Sequence, residues 1–156
     1  MATVFSTQMT QINAGTKLKA SERLGRVRLA TWQYTVPAGN QAINDVIILT
    51  KLPKSARVIT GREFHSAMST GAGAATVEIG TYTRGQDGTY TLVDVDLFLA
   101  ATSVDAAGQT DIANTLALGA LDELIDDGEI YVGAKVTVEA WAAAGNFEGF
   151  LLFALD

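Results

Sequence analysis

Thr76-Val-Glu-Ile-Gly-Thr-Tyr-Thr83, Arg84-Gly-Gln-Asp-Gly88 and Thr89-Tyr-Thr-Leu-Val-Asp-Val-Asp-Leu-Phe-Leu99 make up the stretch that decides the fold. The first and third pieces alternate apolar and polar residues, the period of a strand with one face in a core and one in water. Between them an Asp-Gly step supplies the backbone freedom that reverses a chain, so the stretch reads as a β-hairpin with a loop longer than two residues.

Working outward, the same period recurs. Arg26–Val36 alternates and is closed by Pro37-Ala-Gly39. Asp45–Leu52 is a nearly continuous apolar run rich in β-branched residues and stopped by Pro53, which reads as a buried strand. Ala56–Phe64 alternates, with Val58 on one face and Arg57 and Ile59 on the other. Ile130–Trp141 places Ile130, Val132, Ala134, Val136 and Val138 on one side. Phe147–Leu155 is a last apolar strand. Ser66–Ala75, built of Gly, Ala, Ser and Thr, reads as a loop too small-sided to pack a core, and residues 101–111 read as a second loop. Leu118, Leu121, Leu124 and Ile125 recur at helical spacing, with Asn114 as a cap and Gly128 as a stop, so one short helix is expected.

The sum is an all-β chain: an antiparallel, jelly-roll-like β-sandwich of seven or eight strands with one short helix. Strands not separated by repeated helices argue against a parallel α/β sheet. Residues 1–20 are polar, with Val4, Phe5, Met9 and Ile12 scattered in no steady period, and read as an extended N-terminal arm. Residues 21–156 then form one sandwich domain, since 156 residues bury a core large enough to need no disulfide or metal.

Cysteine is absent, which removes disulfides, thiolate nucleophiles and thiol metal sites. The first residues show no basic stretch followed by an apolar one, and no run approaches the ~20 apolar residues of a membrane-spanning helix. The expectation is a soluble chain made in a cytoplasm, with no membrane partner.

Net charge is −6, but unevenly placed. Nine Lys and Arg stand against three acids through His65; two stand against fourteen acids from Ser66 onward. The cations, among them Lys17, Lys19 and Arg23, are scattered and lack the interleaved aromatics of single-strand binders, so no nucleic-acid partner is expected. Solvated faces and an electrostatic docking surface for an acidic neighbour both remain open readings.

No constellation carries catalysis, metal or cofactor binding. His65 stands alone at a strand end and reads as a surface residue. No Gly-x-Ser-x-Gly elbow is present, and Gly71-Ala-Gly73 lacks the spacing and context of a phosphate cradle. Asp94 and Asp96 share a strand face and read as its polar outer side. Asp122, Glu123, Asp126, Asp127 and Glu129 lack calcium-loop spacing and oppose the dipole of the expected helix. Trp32 and Trp141 read as core or interface aromatics, with a sugar-stacking platform as the alternative.

Asn44-Asp-Val-Ile-Ile-Leu-Thr-Lys-Leu-Pro-Lys-Ser-Ala-Arg-Val-Ile59, the strand Ala75-Thr-Val-Glu-Ile-Gly80, the segment Leu121–Val132, the C-terminal strand and Ile12-Asn-Ala-Gly-Thr16 resemble small virion structural proteins of tailed bacteriophages. The resemblance spans most of the chain and implies a non-enzymatic capsid decoration, or cement, protein. Such a protein sits on the outside of the head shell, contacts the major capsid protein, and associates with itself as a homotrimer. It is synthesised in the host cytoplasm and localised to the virion. Contact residues expected on this reading are Val4, Phe5, Met9, Ile12, Lys17, Lys19 and Arg23. The longer, more aromatic Tyr82–Tyr90 hairpin departs from the pattern. A receptor- or carbohydrate-binding module and a tail or neck subunit stand as rival readings.

Overall fold

The computed structural model describes residues 26–37, 41–53, 56–70, 73–112 and 130–155. Eight strands fill them: β1 (Arg26–Val36), β2 (Val46–Leu52), β3 (Ala56–His65), β4 (Thr76–Arg84), β5 (Tyr90–Ser103), β6 (Gly108–Ile112), β7 (Ile130–Thr137) and β8 (Gly145–Leu155). They form two antiparallel four-stranded sheets, ordered β1-β8-β3-β6 and β2-β7-β4-β5. The pairs are nested: β1 with β8, β2 with β7, β3 with β6 and β4 with β5. A single long hairpin has thus been wound so that successive pairs fall in alternate sheets, which is the jelly roll.

Between the sheets lie Trp32, Val36, Val77, Ile79, Phe98, Ile112, Val132, Val136, Trp141, Phe147, Leu151 and Phe153, all buried. Each large apolar side chain so placed contributes roughly 1.5–3 kcal/mol relative to exposure. Alternation decides which residues enter. In β7, Ile130, Val132, Ala134 and Val136 are buried, as the period demands. In β8 the odd positions Phe147, Leu151 and Phe153 face the core.

Several expectations are corrected. The eighth strand, β6, lies in what reads as loop 101–111, and β5 runs on to Ser103. Gly108-Gln-Thr-Asp111 has no apolar alternation; its strand character comes from pairing with β3, a tertiary partner invisible to periodicity. The small-sided segment Ser66–Ala75 does reach the core, because Met68 and Ala75 are fully buried. The Asp45–Leu52 run is an edge strand rather than a buried one. A bulge between Ile48 and Thr50 breaks its register, and only Ile47 and Leu52 are buried. β7 stops at Thr137: Val138 turns into the left-handed region (φ 62) and is exposed, and Trp141 reaches the core through an isolated bridge to Gln41. In the β4–β5 hairpin, alternation fails where the register shifts between Thr81 and Tyr82, and neighbouring Leu92 and Val93 are both exposed there. The expected helix and arm lie outside the described residues.

Gly149 shows how tightly the layers meet. It pairs with Trp32 on one side and Glu63 on the other. A Cβ there would run into the Trp32 indole and the Arg62 carbonyl oxygen. Gly149→Ala should lower the denaturation midpoint, with a loss of about 1–3 kcal/mol in a urea titration and an unchanged slope.

Candidate interaction surfaces

Antiparallel nesting sends the connections to two opposite ends. One end holds the ends of β1, β3, β5 and β7, the starts of β2, β4, β6 and β8 and the described residues next to them; the other holds the starts of β1, β3, β5 and β7, the ends of β2, β4, β6 and β8 and the turn 85–89.

The first end is acidic and tied down. Among its described residues the charged side chains are Asp45, Asp105 and Glu139. Each carboxylate holds a loop backbone: Ala42 N–H donates to Asp45 (2.7 Å), Ala75 N–H to Asp105 (2.8 Å) and Ala74 N–H to Glu139 (2.7 Å). Met68 joins the loops, donating to the Val104 carbonyl and accepting from Ala142 and Ala143. Val138, β-branched with positive φ, stores strain of order 1–3 kcal/mol that this network must hold.

The opposite end is charged and aromatic. Tyr90 and Tyr131 meet edge-to-face at 5.2 Å, with the Lys51 ammonium 5.8 Å from the Tyr131 ring and the Arg84 guanidinium 5.7 Å from the Tyr90 ring. In the adjoining turn, Thr89 donates from both its hydroxyl and its backbone to Asp87, which lowers that carboxyl below the ordinary range.

The outer face of the β1-β8-β3-β6 sheet is a third surface. Register sets Val27 beside Ala154, Leu29 beside Leu152 and Thr31 beside Phe150, all on the side away from the core. Val27 and Leu29 are 59% and 58% exposed, and Ile59, at the β3 bulge, is 52% exposed. A shallow groove of about 600 Å³ runs among Leu29, Gln33, Phe64, Glu148 and Phe150. The strand Phe147–Leu155 is therefore apolar on both faces, one inside the sandwich and one outside. An unbroken apolar run signals two covered faces, and in the sequence alone that second face went unread.

His65 is not a surface residue. Counting from Gly61, the β3 period turns Glu63 and His65 inward; Glu63 is fully buried, and His65 Nδ1 lies 2.8 Å from Glu63 Oε2. Glu63 Oε1 has no partner among the described residues. The pair is too enclosed to meet a substrate, and no group of three or more metal-ligating side chains occurs among the described residues. Asp94 and Asp96 lie at the surface, with Asp96 N–H donating to Asp94. Of the aromatics a sugar platform would use, Trp32 and Tyr82 are buried, and Tyr90 is exposed. Val4, Phe5, Met9, Ile12, Lys17, Lys19, Arg23 and the acids Asp122–Glu129 lie outside the described residues.

No protein-family model matches the chain, and no curated protein does. Solved structures do match. A chain of the capsid of Ralstonia phage GP4 superposes with a TM-score of 0.68 at 22% identity, over 84% of this chain and 85% of that one. A chain of the cyanophage Pam1 capsid asymmetric unit gives 0.64 at 17% identity, over 85% and 86%. A chain of infectious bursal disease virus gives 0.53 at 14% identity, over 85% of this chain but 32% of that one. The likeness is one of fold. In the two phage structures the jelly roll occupies most of the matched chain; in the bursal disease virus it is one part of a longer chain.

Two predictions follow from the buried polar groups. Glu63→Ala strands His65 in the core and should cost about 3 kcal/mol by chemical denaturation. Burial, and secondarily the Glu78 carboxylate, pushes the Tyr82 phenol above its ordinary 10.0. The neutral form is the one the fold favours, so this contribution is complete below pH 10 and is lost as pH rises through the folded value. Tyr82→Phe should remove that share of the alkaline loss of stability in melts taken across the alkaline range.

Proposed function

We propose that the protein is a non-enzymatic decoration, or cement, protein of a bacteriophage head, which binds the outside of the shell and stabilises contacts between capsomers. The observation that carries this reading is the whole-chain match: a jelly roll of similar size makes up most of a chain in two phage capsid structures. The distribution of surfaces supports it. A clamp needs a rigid body, an attachment end and many copies; it needs no chemistry.

Attachment to the major capsid protein is assigned to the end from which β1 begins. That end carries Lys51, Arg84, Tyr90 and Tyr131, and on this reading the residues that precede β1 in sequence, Val4, Phe5, Met9, Ile12, Lys17, Lys19 and Arg23, join them in the contact. Apolar arm residues supply buried area on the shell, and the cations supply orientation and rate. The tied, acidic end then points away from the shell. A tail or neck subunit of the same fold would bind elsewhere on the particle, and a glycan-binding module would bind sugar instead.

Co-sedimentation with undecorated heads across a salt series tests the assignment. The full chain should bind saturably at a fixed ratio to the shell subunit and more weakly as salt rises. Deleting residues 1–20 should abolish binding while leaving the thermal melt unchanged; full binding by the truncated chain would sink the role given to the arm. Absence of binding at every salt concentration would sink the head assignment.

A further inference from the structure

We propose that the cleft between the edge strands β1 and β2 is a binding site for a neutral, hydroxyl-rich ligand of the monosaccharide class. The cleft has a volume of about 460 Å³ and is lined by Tyr34, Gln41, Asp45, Val46, Ile47 and Ile48. Ligand clefts run roughly 300–1,000 Å³, so a single sugar ring fits. β1 and β2 are the outer strands of opposite sheets, and among the described residues no further strand lies beyond either to close the seam. The site belongs to the tied end of the sandwich. It does not depend on the decoration reading, which only turns this end away from the shell.

Three observations carry the ligand class. First, the polar atoms converge with bonding capacity to spare. Gln41 Nε2 donates to the Tyr34 hydroxyl at 2.7 Å, which leaves that hydroxyl its own proton to give and leaves Gln41 Oε1 as an acceptor. Asp45 Oδ2 accepts from the Ala42 N–H at 2.7 Å, which leaves Oδ1 as a second acceptor. Two acceptors beside one donor suit neighbouring hydroxyls, each of which both gives and accepts a hydrogen bond. Second, the rest of the wall is apolar. Val46 is 42% exposed there, beside Ile48 and the Tyr34 ring, which itself packs against the core. A sugar ring presents C–H groups as well as hydroxyls and uses both kinds of wall. Phosphates and carboxylates find no cation lining the cleft among the described residues, and an amine meets one half-exposed carboxylate, a pairing worth little in water. Third, the frame is fixed before a ligand arrives. Asn44 (φ 72) and Val138 (φ 62), the two non-glycine residues in the left-handed region among the described residues, stand in the two loops that the Gln41–Trp141 bridge joins. Asn44 N–H donates to the Val136 carbonyl (2.9 Å), Val136 N–H to the Asp45 carbonyl (3.0 Å) and Trp141 N–H to the Gln41 carbonyl (2.9 Å). Strain of this kind collects at ligand clamps, and a fixed frame avoids the ordering cost of binding.

Titration of the isotope-labelled full chain with glucose, galactose, mannose and N-acetylglucosamine, followed by NMR chemical shifts, tests this. At least one of these sugars should bind saturably with a Kd in the millimolar range. Its shifts should centre on the Gln41 side-chain amide and the backbone of Asp45–Ile48. Asp45→Asn, which keeps an oxygen for the Ala42 N–H, and Gln41→Ala should each weaken binding at least fivefold with the thermal melt unchanged. The methyl glycoside of the bound sugar separates the two sources of such a ligand: equal binding points to a glycan end and rejection to a free sugar, and both support the site. No saturable shift with any of the sugars overturns the proposal. So do shifts confined to the Tyr90–Tyr131 end, or undiminished binding by both folded variants. A chain that binds sugar but not heads defeats the decoration reading and leaves this one standing; the reverse result does the opposite.

Discussion

The rest of the structure depends on β8 pairing along its length with β1 and β3 at once. Both of its backbone edges are spent, so the registers of three strands are set together. Its odd positions then have one place to go, the space between the sheets, where Phe147 packs against Trp141 at 5.4 Å and Leu151 and Phe153 extend the core. Gly149 interrupts that row because the Trp32 indole fills the space its side chain would need. Glu63, on the other flank of Gly149, is buried by the same constraint. The cost of enclosing a carboxylate there is offset in part by His65.

Winding nested pairs into alternate sheets has a consequence for the surface as well as the core. It sorts the loops into two ends of different character. At one end the carboxylates are consumed by loop backbones and the side chains are small, so little conformational freedom remains to be lost. At the other end Lys51 and Arg84 stand beside Tyr131 and Tyr90.

Among the described residues, the outer face of the β1-β8-β3-β6 sheet leaves Val27, Leu29 and Ile59 exposed. Jelly rolls elsewhere in capsid structures show that the fold serves large assemblies, either as most of a chain or as part of a longer one.

Strand existence was legible in the sequence wherever alternation was strong: Arg26–Val36, Thr76–Arg84 and Ile130–Thr137 follow from period and turn chemistry, and so does the all-β class. Absence of thiols and of catalytic or phosphate-binding spacing is also a property of the sequence. Tertiary structure decided what periodicity has no means to express. It made Gly108–Ile112 a strand by giving it β3 as a partner, drew Met68 into the core from a loop of small residues, and placed Val46–Leu52 at an edge. It turned His65 inward, because a bulge at Ile59 resets which residues of β3 face the core. It also decided that Leu152 and Phe150 face outward beside Leu29. Alternation is a local property of one strand, whereas strand order, bulges and the partner across a face come from contacts between residues far apart in the chain.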